Sequence, residues 1–223
     1  MPEKEVLRVS GDIRGTYGWL SRFYGVVEER FERGVRERGL ELLDVKDGEA
    51  VLEIAFGTGC SLVEIARRAG TAGTVHGIDL TPEMAARAKR RLEKEGLGGR
   101  VELREGDARQ LPYGDAQFDA VYMAAALELF DTPDIPVVLA EIRRVLKPGG
   151  RLGLVSMPRE GHEDSLVWKV YEWLHRTFPR HASCRPIYVE DSVKSAGFEI
   201  TAAEEQKIAG VFPMKIVVAG PGV

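Results

Sequence analysis

The chain has 223 residues, of which 44 % are hydrophobic and 30 % charged, and a formal net charge of −4; that length and balance suit one globular α/β domain with modest additions. The negative sign excludes a general attraction for nucleic acid or anionic membrane, and two cysteines, Cys60 and Cys184, with no Cys-x-x-Cys spacing, exclude a disulfide framework or a cysteine metal site. No stretch approaches the roughly 20 apolar residues of a membrane span, and the Met-Pro-Glu-Lys-Glu start has no signal-peptide core, so a cytoplasmic protein is expected.

A short polar tail leads into an aromatic cluster, Tyr17-Gly-Trp-Leu-Ser-Arg-Phe-Tyr24. It reads either as a helix packed on the domain edge or as a lid over a ligand to which Tyr17 or Tyr24 offers a hydroxyl. Glu28 to Leu43 has a helical stripe of Phe31, Val35, Leu40 and Leu43. After the Asp47-Gly48 turn, Val51 to Ile54 reads as a strand that runs into a tight turn with Gly57 and Gly59. Leu62, Ile65 and Ala66 then follow at helical spacing. Strand, glycine turn and helix in that order open a nucleotide-type binding fold. The turn lacks the Gly-Lys-Ser/Thr ending of a phosphate loop, and Leu62 stands where a dinucleotide turn has its third glycine. It therefore suits a nucleoside, and Glu53, four residues before Gly57, suits a ligand with a cationic end.

Thr74 to Leu80 reads as the second strand. It carries Asp79, twenty residues beyond Gly59, the spacing at which an acidic strand end reaches a ribose diol. The bland alternative is a turn carboxylate. Thr81 is a candidate N-cap and Pro82 a first helical residue, with the helix running to Leu92. Val101 to Arg104 is a third strand, followed by Asp107, which can flank the same pocket and accept from the exocyclic amine of adenine. Phe118 to Met123 is the fourth strand and Pro136 to Leu146 a helix, stopped by Lys147-Pro-Gly-Gly150. Arg151 to Ser156 is the fifth. The alternation predicts a parallel sheet with helices on both faces and a ligand at the carboxyl ends of the strands.

Val-Leu-Glu-Ile-Ala-Phe-Gly-Thr-Gly, Gly-Ile-Asp-Leu-Thr-Pro-Glu-Met, Gly-Asp-Ala-x-x-Leu-Pro, Phe-Asp-Ala-Val and Arg-Val-Leu-Lys-Pro-Gly-Gly occur here in that order. Together they resemble the class I S-adenosylmethionine-dependent methyltransferases, in particular the ubiquinone/menaquinone-biosynthesis branch, over about Tyr17 to Ser156. The resemblance implies a Rossmann-like, seven-stranded, mostly parallel sheet that ends in an antiparallel pair, Phe198 to Ala203 and Met214 to Ala219. It implies S-adenosyl-L-methionine as donor and S-adenosyl-L-homocysteine as product. It places Glu53 and the turn of Ala55, Gly57, Thr58 and Gly59 on the methionine half. Asp79 falls on the ribose, Leu80 and Met84 on the adenine side, Asp107 and Ala108 on the adenine edge, and Met123 beside the pocket. Two features depart from the family. Ala55 replaces the first glycine of the turn, and Ala124-Ala-Ala-Leu-Glu-Leu-Phe130 stands where the quinone enzymes carry Gly-Leu-Arg-Asn. The second departure argues against a quinone acceptor.

Beyond the fifth strand lies the acceptor side. The domain is read as single over 1–223, with an N-terminal helical lid over 1–45 and a cap segment over 157–196. Asp164 to Phe178 reads as an apolar helix, either buried between core and cap or forming the acceptor wall with Trp168, Tyr171 and Trp173; Val189 to Ala196 is a short helix. His175 and His181 are candidate bases, because their unperturbed pKa lies near neutral. His76 reads as a packed histidine. No histidine has metal-site spacing, so no metal is expected. The partner is a small-molecule acceptor. A nicotinamide-dependent oxidoreductase and a catalytically silent nucleoside-binding subunit are the alternatives, and the oligomeric state is open.

Overall fold

A computed structural model describes residues 32–165, 168 and 185–222. Tyr17, Tyr24, Tyr171, Trp173, His175 and His181 lie outside the described residues, as do most of the expected helix from Asp164 to Phe178 and the greater part of the expected lid.

Helix α1 covers residues 32–43 and leads to β1 (Ala50–Ile54). Then follow α2 (Cys60–Arg68), β2 (Thr74–Asp79), α3 (Pro82–Lys94), β3 (Val101–Glu105) and β4 (Phe118–Ala124). A short 3₁₀ turn, Leu127–Leu129, precedes α4 (Ile135–Val145), β5 (Leu146–Ser156), α5 (Val189–Ser195), β6 (Phe198–Ile208) and β7 (Phe212–Pro221). The seven strands form one sheet in the order β3-β2-β1-β4-β5-β7-β6. The first five are parallel, and β7 is antiparallel to both β5 and β6. This is the doubly wound architecture expected from the alternating pattern, together with the antiparallel C-terminal pair that the resemblance implied.

The two-residue period of the strands sorts the core into two layers. Val51, Ala120, Tyr122, Val155 and Ile216 join Leu40, Leu43, Leu62, Ile65, Ala88 and Leu92 on the face covered by α1, α2 and α3. Leu52, Ile54, Val121, Met123 and Leu154 join Val138, Leu139, Ile142, Val189 and Val193 on the face covered by α4 and α5. Leu62 and Ile65 are wholly buried; each such side chain stabilises the fold by roughly 1.5–3 kcal/mol. Gly39 brings α1 against β4, since a Cβ there would lie 2.8 Å from the Tyr122 hydroxyl. That hydroxyl donates to the Arg36 carbonyl at 2.9 Å.

Three boundaries differ from the sequence reading. The breaker Lys147-Pro-Gly-Gly150 ends α4, yet β5 begins at once with Leu146, because Phe118 pairs with Leu146 before a register shift brings Ala120 opposite Arg151. Strands β6 and β7 each extend beyond their apolar centres, pairing continuously out to Ile208 and Phe212. Thr81 precedes α3 as expected but caps nothing with its side chain; its hydroxyl donates to Asp79 instead, at 2.8 Å.

Candidate functional site

Strand order reverses between β1 and β4, so the carboxyl ends of β1, β2, β4 and β5 surround the crevice where such sheets bind ligands. The turn after β1 is built from left-handed backbone. Ala55, Gly57 and Gly59 have φ of 55°, 52° and 79°. The two glycines serve different ends. A Cβ on Gly57 would meet nothing within 4 Å, whereas one on Gly59 would lie 2.8 Å from the Ala88 Cβ and 3.1 Å from its Cα. Gly59 thus lets α3 pack against the start of α2, and Gly57 presents bare backbone.

Glu53 sits opposite Tyr122 of β4 and Gly77 of β2 and is 3 % exposed. Burial pushes its carboxyl up to about 8, and the Asp79 carboxylate adds to this; Arg36 and a hydrogen bond with Ser61 pull the other way. Among the described residues its Oε2 is buried without a hydrogen-bond partner. Burial of this kind favours the neutral acid, and a cation beside it favours the charged form.

Asp79 ends β2 beside the turn. Its Oδ2 accepts the Gly57 amide at 2.9 Å, and its Oδ1 accepts the Thr81 amide at 3.0 Å and the Thr81 hydroxyl at 2.8 Å. A carboxylate has about four lone-pair sites, so one acceptor position of Oδ2 is left. Asp107 is more fully used. Its Oδ1 accepts the Arg109 amide at 2.9 Å, and the Arg109 side chain grips both oxygens at 2.6–3.1 Å while bridging to Asp134 at 2.9 Å. An adenine amine at Asp107 would share the carboxylate with this arginine. Leu80 and Thr58 are half-buried. Met84 and Ala108 are 8 % and 7 % exposed, and Met123 has no exposed surface, lying wholly in the core. A groove lined in part by Arg36, Leu40, Cys60 and Ser61 runs past the start of α2 but does not include Gly57 or Asp79.

Two readings settle as packing. His76 lies edge-on to Tyr113 and Phe118 at 5.6 and 5.4 Å, and burial lowers its pKa. Trp168 is 3 % exposed, with its indole N–H donating to the Pro158 carbonyl at 3.0 Å and its ring against Phe212. Its place is the core under β7, not an open acceptor wall.

The carboxyl ends of β4 and β5 hold residues to which the sequence reading gave no role. Glu128, on the 3₁₀ turn after β4, is 1 % exposed. The Ser156 hydroxyl, at the end of β5, donates to its Oε2 at 2.6 Å. Arg185 is brought to the same edge by the returning chain. The available signal was a lone carboxylate inside the apolar run Ala124 to Phe130, and a charge with no helical or strand period to place it.

Compared with known proteins, residues 51–150 match the family described as "Methyltransferase domain". The chain is 30 % identical over 192 residues to a demethylmenaquinone methyltransferase of Lactobacillus johnsonii, covering 86 % of this chain and 75 % of that one. It is 31 % identical over 202 residues to a demethylmenaquinone methyltransferase of Bacillus velezensis, covering 80 % and 85 %. Among solved structures it is similar to a SAM-dependent methyltransferase from Aquifex aeolicus, with a TM-score of 0.63 at 24 % identity over 82 % of this chain and 88 % of that chain.

Proposed function

Since this chain belongs to the class I S-adenosylmethionine-dependent methyltransferases, we propose that its acceptor is a planar, quinol-type small molecule held at the carboxyl ends of β4 and β5. The acceptor class is supported by the names of the relatives, which cover most of the chain. The departure at Ala124 to Phe130 argues against a quinone acceptor, and in this reading the relatives' names outweigh it. Neither the oxidoreductase nor the silent-subunit alternative gains support from those relatives.

The observation that carries the donor side is Glu53. Its buried, unpartnered Oε2 lacks a hydrogen-bond donor, and the α-ammonium of the donor supplies one together with a compensating charge. Asp79 offers its remaining Oδ2 position to a ribose hydroxyl. The open side of Gly57 accepts the methionine portion against backbone. Leu80, Met84, Asp107 and Ala108 border the adenine, with Arg109 fixing the Asp107 carboxylate. The bound donor supplies a methyl group already activated on a sulfonium. The chain's own contribution is accordingly to align the two reactants and keep water out.

A quinol hydroxyl must lose its proton before the ring attacks a methyl group. Glu128 is the buried carboxylate on that side. We assign it as proton acceptor, with Ser156 holding one of its oxygens. Tyr17 and Tyr24 as lid groups, and His175 and His181 as alternative bases, stay proposals on the segments outside the described residues. The test is Glu128→Gln with S-adenosylmethionine and a reduced naphthoquinone. Turnover should fall by about two orders of magnitude, and S-adenosylhomocysteine affinity should hold within threefold. Unchanged turnover would remove Glu128 from the reaction.

A further inference from the structure

Just beyond β5, Pro158 forms a parallel bridge with Ile187. Ile187 N–H donates to the Met157 carbonyl at 3.0 Å and Arg159 N–H to the Ile187 carbonyl at 2.8 Å. Two residues back on each side of that bridge stand Ser156 and Arg185. The returning chain therefore sets Arg185 near the end of β5, close to the 3₁₀ turn that carries Glu128. Arg185 is 6 % exposed. Its Nη2 donates to the Phe130 carbonyl at 2.7 Å, which ties it to the loop after β4. Its Nε is buried with no hydrogen-bond partner, and no ion pair involves it among the described residues.

A guanidinium has five donors and no way to shed its charge at ordinary pH. Placed in the interior without a counter-ion it costs several kcal/mol. The nearby charges do not cancel it: Asp131 and Glu128 attract, Arg159 repels, and burial opposes the charged form most of all. A methionine or leucine would fill the same space at no such cost. Among the described residues nothing supplies the anion that an arginine at this edge of the sheet would pair with. Lysine would be a poorer choice, because the planar fork can offer a fixed N–H to an oxygen while still holding Phe130.

We propose that Arg185 is the anchor for an ionised oxygen on the acceptor, so that the molecule methylated here is a planar ring bearing an enolate or phenolate. The proposal rests on the methyltransferase reading and deepens it. The oxyanion sits on Arg185 Nε, which holds the ring in its electron-rich form. The oxygen of a neutral quinone or of an ether of the same shape can still accept from that N–H but brings no negative charge to the guanidinium, and so binds more weakly.

The experiment uses the full chain saturated with S-adenosylhomocysteine, to which 2-hydroxy-1,4-naphthoquinone, an acidic enol, or its 2-methoxy ether is added. The parent should bind the hydroxyl compound at least tenfold more tightly than the ether. Arg185→Met should erase that preference and Arg185→Lys should keep part of it, with S-adenosylhomocysteine affinity within threefold of the parent in both. A parent that binds the two compounds equally, or an Arg185→Met protein that keeps the preference, overturns the proposal. If Arg185→Met does not fold, the parent's own preference and the Lys variant decide. A parent that fails to bind S-adenosylhomocysteine would fail at the donor, a separate outcome that removes the methyltransferase reading and this inference with it.

Discussion

The Asp79 carboxylate accepts a hydrogen bond from the Gly57 amide at 2.9 Å, so the end of β2 holds the turn after β1 in shape. The same carboxylate holds the entry to α3 through two bonds from Thr81. One side chain therefore organises both the turn and the start of α3. This changes what its removal should do. Asp79→Ala takes away three protein hydrogen bonds as well as the proposed ribose contact. Each bond to a charged group is worth roughly 1.5–3 kcal/mol. The three bonds together set an upper range of about 4.5–9 kcal/mol; with the freed donors taking water in place of the carboxylate, stability should fall by less, about 2–4 kcal/mol, and S-adenosylhomocysteine affinity by at least about tenfold. Asp79→Asn, which keeps an acceptor for Thr81, should lose less of both. Chemical denaturation and calorimetric titration read the two quantities separately, and an Ala variant with parental affinity would take Asp79 out of the site.

The two glycines of the turn should separate in the same pair of measurements. Gly57→Ala puts a methyl into open space at a φ close to the one Ala55 already adopts. Its folding cost should be about 1 kcal/mol, and its main effect should be on the donor. Gly59→Ala drives a methyl into Ala88 of α3, so its main effect should be on stability, by about 1–3 kcal/mol. A valine at Gly59 would likewise report on packing. If Gly57→Ala leaves S-adenosylhomocysteine binding untouched, the turn does not carry the donor.

Much of the candidate donor half was legible because local patterns place its residues. Hydrophobic periodicity located the strands, and the reversal of strand order brings Glu53, Gly57 and Asp79 to one edge with little help from distant sequence. Arg185 could not be read in this way. It is placed by the parallel bridge between Pro158 and Ile187, a contact between segments about thirty residues apart that has no local signature. The Thr81 hydroxyl was misread for a related reason. Its residue type suits a helix cap, but the bond its hydroxyl donates to the Asp79 carboxylate sets the side-chain rotamer, and in that orientation its oxygen accepts from no helix N–H. Trp168 read equally as buried or as an acceptor wall, because an apolar stripe does not say which neighbour it meets.

Ala55 stores strain that the family turn avoids. Its φ of 55° lies in the left-handed region, which costs an L-residue about 1–2 kcal/mol, while its N–H is fixed on the Ile78 carbonyl at 2.7 Å. Glycine relieves the strain but loses more entropy on folding, an opposing effect of about 0.4–1 kcal/mol. Ala55→Gly should therefore stabilise the protein by about 0.5–1 kcal/mol, a rise of a few degrees in Tm for a domain of this size. A lowered Tm would mean that the alanine methyl makes packing contacts worth more than the strain.

Glu53 should give the protein a pH signature in two forms. Its carboxyl is raised from 4.5 to about 8 in the fold, chiefly by burial. The folded state therefore binds this proton more tightly than the unfolded state, and the stability it contributes is complete below pH 4.5. That stability is lost as pH rises towards 8, then stays level. Across that window the loss accumulates at about 1.4 kcal/mol for each step of one in pH, on the order of a few kcal/mol in all. Other carboxylates titrate too, so the quantity to measure is the difference between the parent and Glu53→Gln, whose stability curve should lack this decline. The second form is seen on binding. At pH 7 the free protein holds Glu53 mostly protonated, and an ammonium placed at Oε2 favours the charged form. Binding of S-adenosylhomocysteine should release about one proton, measurable as a heat that changes with the ionisation enthalpy of the buffer. Glu53→Gln should bind more weakly and release none. Parallel stability curves for parent and variant, with no proton released by the parent, would show that the Glu53 carboxyl is already ionised in the free protein and that its unpartnered oxygen does not await a cation.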